Sequence, residues 1–147
     1  MVNTQILRQQ HDAALVMADR LIDLVDNYDP RTAGIPILMQ LSRLLGILRV
    51  HLAHEDVELY PRLMASPDPN IARTACAYVA EMGGLAIDLE CFVRHWSCSA
   101  SIAGNIEEFR EGVHELILAL AVRIERENRY LYPLAEFDPG MPHRDAA

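Results

Sequence analysis

The stretch that decides the fold is residues 51–61, His-Leu-Ala-His-Glu-Asp-Val-Glu-Leu-Tyr-Pro. His51 and Glu55 stand four residues apart, and the apolar residues before them recur in steps of three and four, as on one face of a helix. Both side chains therefore project toward the core, about one turn apart. Since a buried carboxylate without a partner is costly, the pattern predicts a metal-chelating pair neutralised by a cation.

The apolar stripe that leads through this pair occurs twice. The first copy consists of Ile37, Leu41, Leu44, Leu48, His51, Glu55 and Leu59, and the second, 72 residues later, of Phe109, Val113, Leu116, Leu120, Arg123, Glu127 and Leu131. Both copies close with Leu-Tyr-Pro, at 59–61 and 131–133. Between the copies, only the pair His51 and Arg123 changes charge type. The sequence thus predicts a doubled unit with an internal twofold repeat.

Helical periodicity predicts four long amphipathic helices, at about 4–28, 35–61, 70–97 and 105–132, with a loop at 99–104. The prolines of the two Leu-Tyr-Pro motifs are expected to end the second and fourth helices. No strand-like alternation is present, so the fold class is all-α, an up-down-up-down four-helix bundle over residues 1–138. Residues 139–147 are expected to form a disordered tail.

Antiparallel packing brings His11, on the apolar face of the first helix, to the level of the doubled motif. We therefore expect His11, His51, Glu55, Arg123 and Glu127 to form one polar cluster at one end of the core. Tyr60 and Tyr132 are interpreted as capping and packing residues.

The charge balance limits the partners. The chain has 13 Lys and Arg against 21 Asp and Glu, a net charge of −8, and its basic residues are scattered, so nucleic acid and anionic membranes are poor partners. No uninterrupted apolar run approaches the roughly 20 residues of a membrane span, and the N-terminus lacks a signal-peptide pattern, so we expect a cytoplasmic protein. Three cysteines without a Cys-x-x-Cys pair argue against a disulfide framework and a zinc knuckle.

These motifs resemble the hemerythrin-like (HHE) cation-binding domains over nearly the whole chain. The matching residues are His11, the His51-x-x-x-Glu55 pair and Glu127, with each motif running into Leu-Tyr-Pro. The resemblance implies a hemerythrin-like bundle that holds two irons bridged by carboxylates. It also implies a small ligand, namely dioxygen, peroxide or nitric oxide, and a role as a sensor or a detoxifying stress-response protein, or in iron handling.

The sequence departs from the family pattern in two places. Arg123 stands where the fourth-helix motif should begin with histidine, and an arginine cannot ligate a metal. The third helix has no histidine at the expected level, and there we expect Glu81 as the ligand, with Tyr78 as the substitute. The predicted metal set is His11, His51, Glu55, Glu81 and Glu127, with two irons per chain. If the guanidinium instead replaces the second cation, it should pair with Glu127 or Glu81, and the chain should carry at most one metal.

Each residue also has a more ordinary interpretation. His11 can be a hydrogen-bonded core histidine, and Glu81 a solvated residue on the flank of its helix. Arg123 supports a second function, a degenerate bundle with one metal or none that acts as a regulatory protein-interaction module. No general acid or base can be assigned from the residues, so any enzymatic activity is implied by the family resemblance alone.

Overall fold

The computed structural model describes residues 3–137, and the regular elements in that range are all helical. They form five helices: α1 (Thr4–Asp26), α2 (Gly34–Met64), α3 (Pro69–His95), the short α4 (Ser99–Gly104) and α5 (106–137). The predicted all-α class is confirmed. The predicted loop at 99–104 is wrong, because this segment forms α4 and buries Ile102 against the core. The predicted tail at 139–147 lies outside the described residues.

Helices α2 and α5 are built in the same three segments. In α2, an α-helix (Gly34–His54) leads into a π-helical turn (Glu55–Leu59) and a short α-helix (Tyr60–Met64). In α5 the corresponding segments are Ile106–Arg126, Glu127–Leu131 and Tyr132–Phe137. The two π-helical turns stand 72 residues apart, the offset of the sequence repeat, which confirms the predicted internal twofold repeat.

The prediction that proline ends these two helices is wrong. The chain continues helically past Pro61 to Met64 and past Pro133 to Phe137. Each proline is the second residue of the α-helical segment that follows the π-helical turn. A proline is tolerated there because its missing N–H falls in the first turn of the new segment.

The four long helices pack as an antiparallel bundle. Helix α1 contacts α2 and α5, and α3 contacts the same two helices from the opposite side. Side-chain hydrogen bonds show the antiparallel directions. The Gln40 amide of α2 donates to the Met17 carbonyl of α1 at 2.9 Å, and the ring of His114 in α5 bonds Asp26 at the end of α1 at 2.8 Å.

The apolar core consists of two clusters of side chains, which lie on either side of the level where the π-helical turns of α2 and α5 begin. The larger cluster fills the bundle from Val25 to Leu48 and Ile124, and the smaller one contains Leu7, Leu59 and Leu131. The expectation of a polar cluster at one end of the core is therefore corrected. The helical segments beyond the prolines add a second apolar layer, so the polar residues lie between two layers and are shielded from water on both sides.

Within residues 3–137, one helix, α2, is long and apolar enough to cross a membrane by length and composition alone. In the sequence this helix does not show as an uninterrupted apolar run, because Arg43 and Arg49 lie within it. Core helices of soluble proteins pass the same test, and α2 buries Ile37, Leu41 and Leu44 completely. We therefore describe α2 as a core helix of the bundle.

Candidate metal centre

The two halves of the molecule place equivalent side chains at one level. His51 lies in the last turn of the α-helical part of α2, and Glu55 opens the π-helical turn. Arg123 and Glu127 hold the same two positions in α5, and His11 enters from α1. All five side chains are buried. A π-helical turn widens a helix locally and often occurs where a helix carries functional side chains.

Four of these side chains converge on a common point. The His11 Nε2 atom lies 3.0 Å from Nε2 of His51 and 3.1 Å from Oε2 of Glu127. Nε2 of His51 lies 3.5 Å from Oε1 of Glu55. One ligand atom from each of the four residues lies within 4.8 Å of the others. Since imidazole and carboxylate bind metal ions at about 2.0–2.2 Å, this spacing is close to that of donors around one ion.

The outer nitrogens of both imidazoles face amide oxygens. Nδ1 of His11 lies 2.9 Å from Oδ1 of Asn128, and Nδ1 of His51 lies 3.1 Å from Oε1 of Gln10. An amide oxygen only accepts, so each Nδ1 carries the proton and each Nε2 turns a lone pair toward the centre. Burial, followed by the nearby His11, lowers the pKa of His51 to about 3, so this ring is neutral at pH 7. Two facing lone pairs favour a cation between them.

Arg123 joins the two carboxylates. Its Nε donates to Oε1 of Glu127 at 2.8 Å, and its Nη2 donates to Oε2 of Glu55 at 3.4 Å. Burial, with the charge of Glu127, raises the pKa of Glu55 to about 8. Burial also acts to raise the pKa of Glu127, but the neighbouring charge of Arg123 acts against it, and that pKa lies below its usual value. In the metal-free protein at pH 7, Glu55 is therefore neutral, and Arg123 balances the charge of Glu127.

The tyrosine of each Leu-Tyr-Pro motif donates a hydrogen bond to the glutamate of the other repeat. Tyr132 of α5 donates its hydroxyl to Oε1 of Glu55 in α2 at 2.9 Å. Tyr60 of α2 donates to Oε1 of Glu127 in α5 at 3.5 Å. Burial, followed by the charge of Glu55, raises the pKa of both phenols, so they remain hydrogen-bond donors. Each carboxylate is thus held by the tyrosine of the other half.

The residues present fit a bound cation. Oε2 of Glu127 is buried and makes no hydrogen bond within the described part of the chain, although it lies 3.1 Å from His11 Nε2. Leaving such an atom without a partner costs about 1–3 kcal/mol, more where the group is charged. A cation at the centre would satisfy this oxygen and both imidazole lone pairs at once. Mixed imidazole and carboxylate donors suit several first-row metals, iron and zinc among them.

The comparison with protein families agrees with this geometry. The family model of the hemerythrin HHE cation binding domain matches residues 2–135. The chain belongs to this family. A search of curated proteins and a search of solved structures each found no match. Membership of the HHE family indicates a cation-binding domain, and the buried histidine and glutamate cluster is where this HHE domain could hold a metal ion.

The structure does not bring Glu81 into the HHE cluster. Its side chain is 51 % exposed and accepts a hydrogen bond from Arg126 at 2.6 Å. Tyr78, the alternative, is buried, but its hydroxyl donates to the Arg126 carbonyl at 3.3 Å, and the Arg126 guanidinium lies over its ring. Tyr78 faces inward from α3, whereas Glu81 lies at the surface, where Arg126 pairs with it. We therefore correct the expectation that Glu81 joins the site.

The other described histidines also lie outside the cluster. His54 bonds Gln10 at 2.9 Å, His95 packs edge-on against Trp96, and His114 bonds Asp26. His143 lies outside the described residues.

Sequence reasoning missed four contributors to the site: Gln10, Asn128, Tyr60 and Tyr132. A signal existed for the tyrosines, because they stand 72 residues apart, as do the two carboxylates they contact. Gln10 and Asn128 are the chain neighbours of His11 and Glu127. Adjacent residues on a helix point in different directions, so nothing in the sequence placed their side chains against the rings.

Proposed function

We propose that this HHE domain binds a single iron ion through His11, His51, Glu55 and Glu127, and that Arg123 replaces the second cation of a two-metal site. The observation that carries this proposal is the guanidinium that donates to both Glu127 and Glu55. In a two-metal site, paired carboxylates of this kind would bridge the two cations. In this protein Glu55 and Glu127 instead share the positive charge of Arg123. Glu81 is left out of the ligand set because it is exposed and paired with Arg126.

The charge of the site favours one metal over two. With both carboxylates ionised, Glu55 and Glu127 contribute two negative charges and Arg123 one positive charge. One ferrous ion brings the cluster to a net charge of +1, and a second would bring it to +3 inside a buried layer. Uncompensated buried charge is strongly unfavourable, so a second metal is disfavoured while Arg123 is present.

A small cavity next to the cluster supports a small ligand. It has a volume of about 30 Å³, room for roughly two water-sized atoms, and it touches His51, Arg123 and Glu127. Its other walls are mostly aliphatic side chains of α2, α3 and α5: Leu45, Leu48, Leu52, Leu85, Leu89, Leu120 and Ile124. A space of this size and polarity suits dioxygen, nitric oxide or peroxide and excludes larger organic substrates.

The protein function that follows is binding of, or response to, such a small molecule, in sensing or in stress defence. If iron is held by the four protein donors, it would supply open coordination positions for such a molecule. The protein contributes mostly aliphatic walls and the guanidinium of Arg123, which borders the cavity and donates to both Glu127 and Glu55.

Anaerobic titration with ferrous iron, followed by metal analysis, tests the proposal. We expect one iron per chain in the wild type and a change of the visible spectrum when nitric oxide is added. Arg123→His restores the family's His-x-x-x-Glu motif and removes a repelling charge, so it should raise the stoichiometry toward two. Arg126→His, at the exposed neighbour, is the control and should leave the stoichiometry at one.

Two irons per chain is the competing prediction, and a wild-type stoichiometry of two would establish it. Unchanged stoichiometry and affinity in Arg123→His would contradict the role given to Arg123.

A metal-free regulatory module is the second candidate function. The observation in its favour is that the cluster is electrically balanced without a metal, with Glu55 neutral and Arg123 paired with Glu127. This candidate predicts that the wild type retains no iron and that its melting temperature is the same with and without ferrous iron.

A further inference from the structure

Gln10 connects the buried His51 with a histidine on the surface. The side chain of Gln10 is half-buried and extends from α1 toward α2. Its Oε1 lies 3.1 Å from Nδ1 of His51, and its Nε2 lies 2.9 Å from Nδ1 of the exposed His54. One amide thus contacts two imidazoles of the same helix, three residues apart.

The two contacts depend on each other. An amide has an accepting end and a donating end, and turning it over exchanges them. While Nδ1 of His54 is unprotonated and accepts from Nε2 of Gln10, Oε1 must face His51 and accept its Nδ1 proton. In the reverse orientation Nε2 would donate to Nδ1 of His51, which would then carry its proton on Nε2. That proton would point at the metal site and prevent ligation.

We propose that Gln10 is a positioning residue that fixes the metal-binding tautomer of His51, and that His54 fixes the orientation of Gln10. This inference rests on the proposed function, because the tautomer matters for iron. Groups that hold the outer nitrogen of a ligating histidine commonly change metal affinity about 10–100-fold when they are removed.

His11 provides an internal comparison. Its Nδ1 is held by Oδ1 of Asn128 at 2.9 Å. The backbone carbonyl of Asn128 accepts from Arg8 at 2.8 Å, which fixes the main chain there but not the amide end. The orientation of Gln10, in contrast, is set by the imidazole of His54. His54 is exposed, so its protonation and hydrogen bonding can change with the solvent. His51 is therefore the ligand whose tautomer responds to a residue outside the core.

Ferrous iron affinity in three variants and a control tests the relay. Gln10→Leu removes the acceptor, and we expect its affinity to fall about 10–100-fold. Gln10→Glu still accepts the Nδ1 proton of His51, so its affinity should stay within about threefold of the wild type or exceed it. His54→Leu leaves the amide unoriented and should lose less than Gln10→Leu. Gln9→Leu, at the exposed neighbouring position, is the control and should bind as the wild type does.

Nitrogen NMR of the histidine rings in the metal-free proteins gives a second readout, which a purely structural role would not move. We expect the His51 proton on Nδ1 in the wild type and in Gln10→Glu, and a shift toward Nε2 in Gln10→Leu. Circular dichroism checks that each variant is folded.

Three results would overturn the relay. They are wild-type iron affinity in Gln10→Leu, an equal loss in Gln10→Glu and Gln10→Leu, or a His51 proton on Nε2 in the wild type. Unchanged affinity in His54→Leu would overturn the part assigned to His54. If the wild type binds no iron, the proposed function fails instead, and the NMR measurement still decides whether Gln10 sets the tautomer.

Discussion

The two repeats share a backbone frame and differ in the side chain that opens each motif. His51 and Glu55 in α2 correspond to Arg123 and Glu127 in α5, and both pairs adjoin a π-helical turn. His51 lies 3.0 Å from His11, with its lone pair toward the centre, whereas Arg123 donates to both carboxylates. One position therefore carries an imidazole that could ligate a metal ion, and the other carries a fixed charge. The comparison shows that a repeated motif can keep its backbone geometry while one of its side chains changes from a possible ligand to a cation.

The largest effect is expected when the first repeat is given the side chain of the second. His51→Arg removes an imidazole ligand and puts a second guanidinium beside the buried carboxylates, so we expect ferrous iron binding to be lost. Metal analysis after anaerobic loading measures this. His114→Arg changes an exposed histidine on α5 and should retain the wild-type iron content. Wild-type iron content in His51→Arg would show that the ion lies elsewhere.

The next test removes the fixed charge. Arg123→Met leaves Glu127 buried without a counter-charge, and we expect the metal-free protein to lose about 3 kcal/mol of unfolding free energy. Arg126→Met is the matched control, since its ion pair with Glu81 is exposed and should contribute far less. Urea unfolding of both variants gives the difference. Equal losses in the two variants would mean that Arg123 is not the balancing charge.

A third test uses pH on the metal-free protein. The pKa of Glu55 is raised to about 8, so its contribution to stability is complete below its ordinary pKa of 4.5 and is lost as pH rises through 8. The pKa of His51 is lowered, so its contribution to stability changes in the opposite direction: it is complete above pH 6.5 and is lost as the pH falls from 6.5 toward 3. Above pH 6.5 the free energy of unfolding should therefore fall by up to about 1.4 kcal/mol per pH unit, and the slope should flatten as the pH passes 8.

Glu55→Gln should remove this slope, because glutamine has no proton to lose. Urea unfolding at several pH values above 6.5 compares the two proteins. A slope that persists in Glu55→Gln would assign the titration to another group.

The smallest expected effect separates the two crossed tyrosines. Tyr132→Phe removes a hydrogen bond of 2.9 Å to Glu55 and should cost about 1 kcal/mol, whereas Tyr60→Phe removes one of 3.5 Å to Glu127 and should cost less. Thermal unfolding of the two metal-free variants measures both losses. A larger loss in Tyr60→Phe would reverse the order that the distances predict.

The sequence predicted those parts of the site that depend on regular periodicity. The all-α bundle, the repeat and the convergence of His11, His51, Glu55 and Glu127 follow from steps of three and four residues. The departure at Arg123 was also visible, and its pairing with Glu127 was one of the two outcomes expected for it.

The parts that were missed depend on departures from that periodicity or on contacts between helices. The π-helical turns add a residue to a turn, and so carry the helices past Pro61 and Pro133. The outward rotation of Glu81 depends on how α3 packs against Arg126. The hydrogen bond from Gln10 to His51 depends on side-chain conformations in two helices. Hydrophobic spacing along one helix contains none of this information.

The crossed tyrosines have a consequence for how such a chain can change over generations. Because Tyr132 holds Glu55 and Tyr60 holds Glu127, a mutation in one half alters the surroundings of a carboxylate in the other. The loss of either tyrosine hydroxyl in one half would therefore be felt at the carboxylate of the other half. Arginine at position 123 leaves both crossed hydrogen bonds in place.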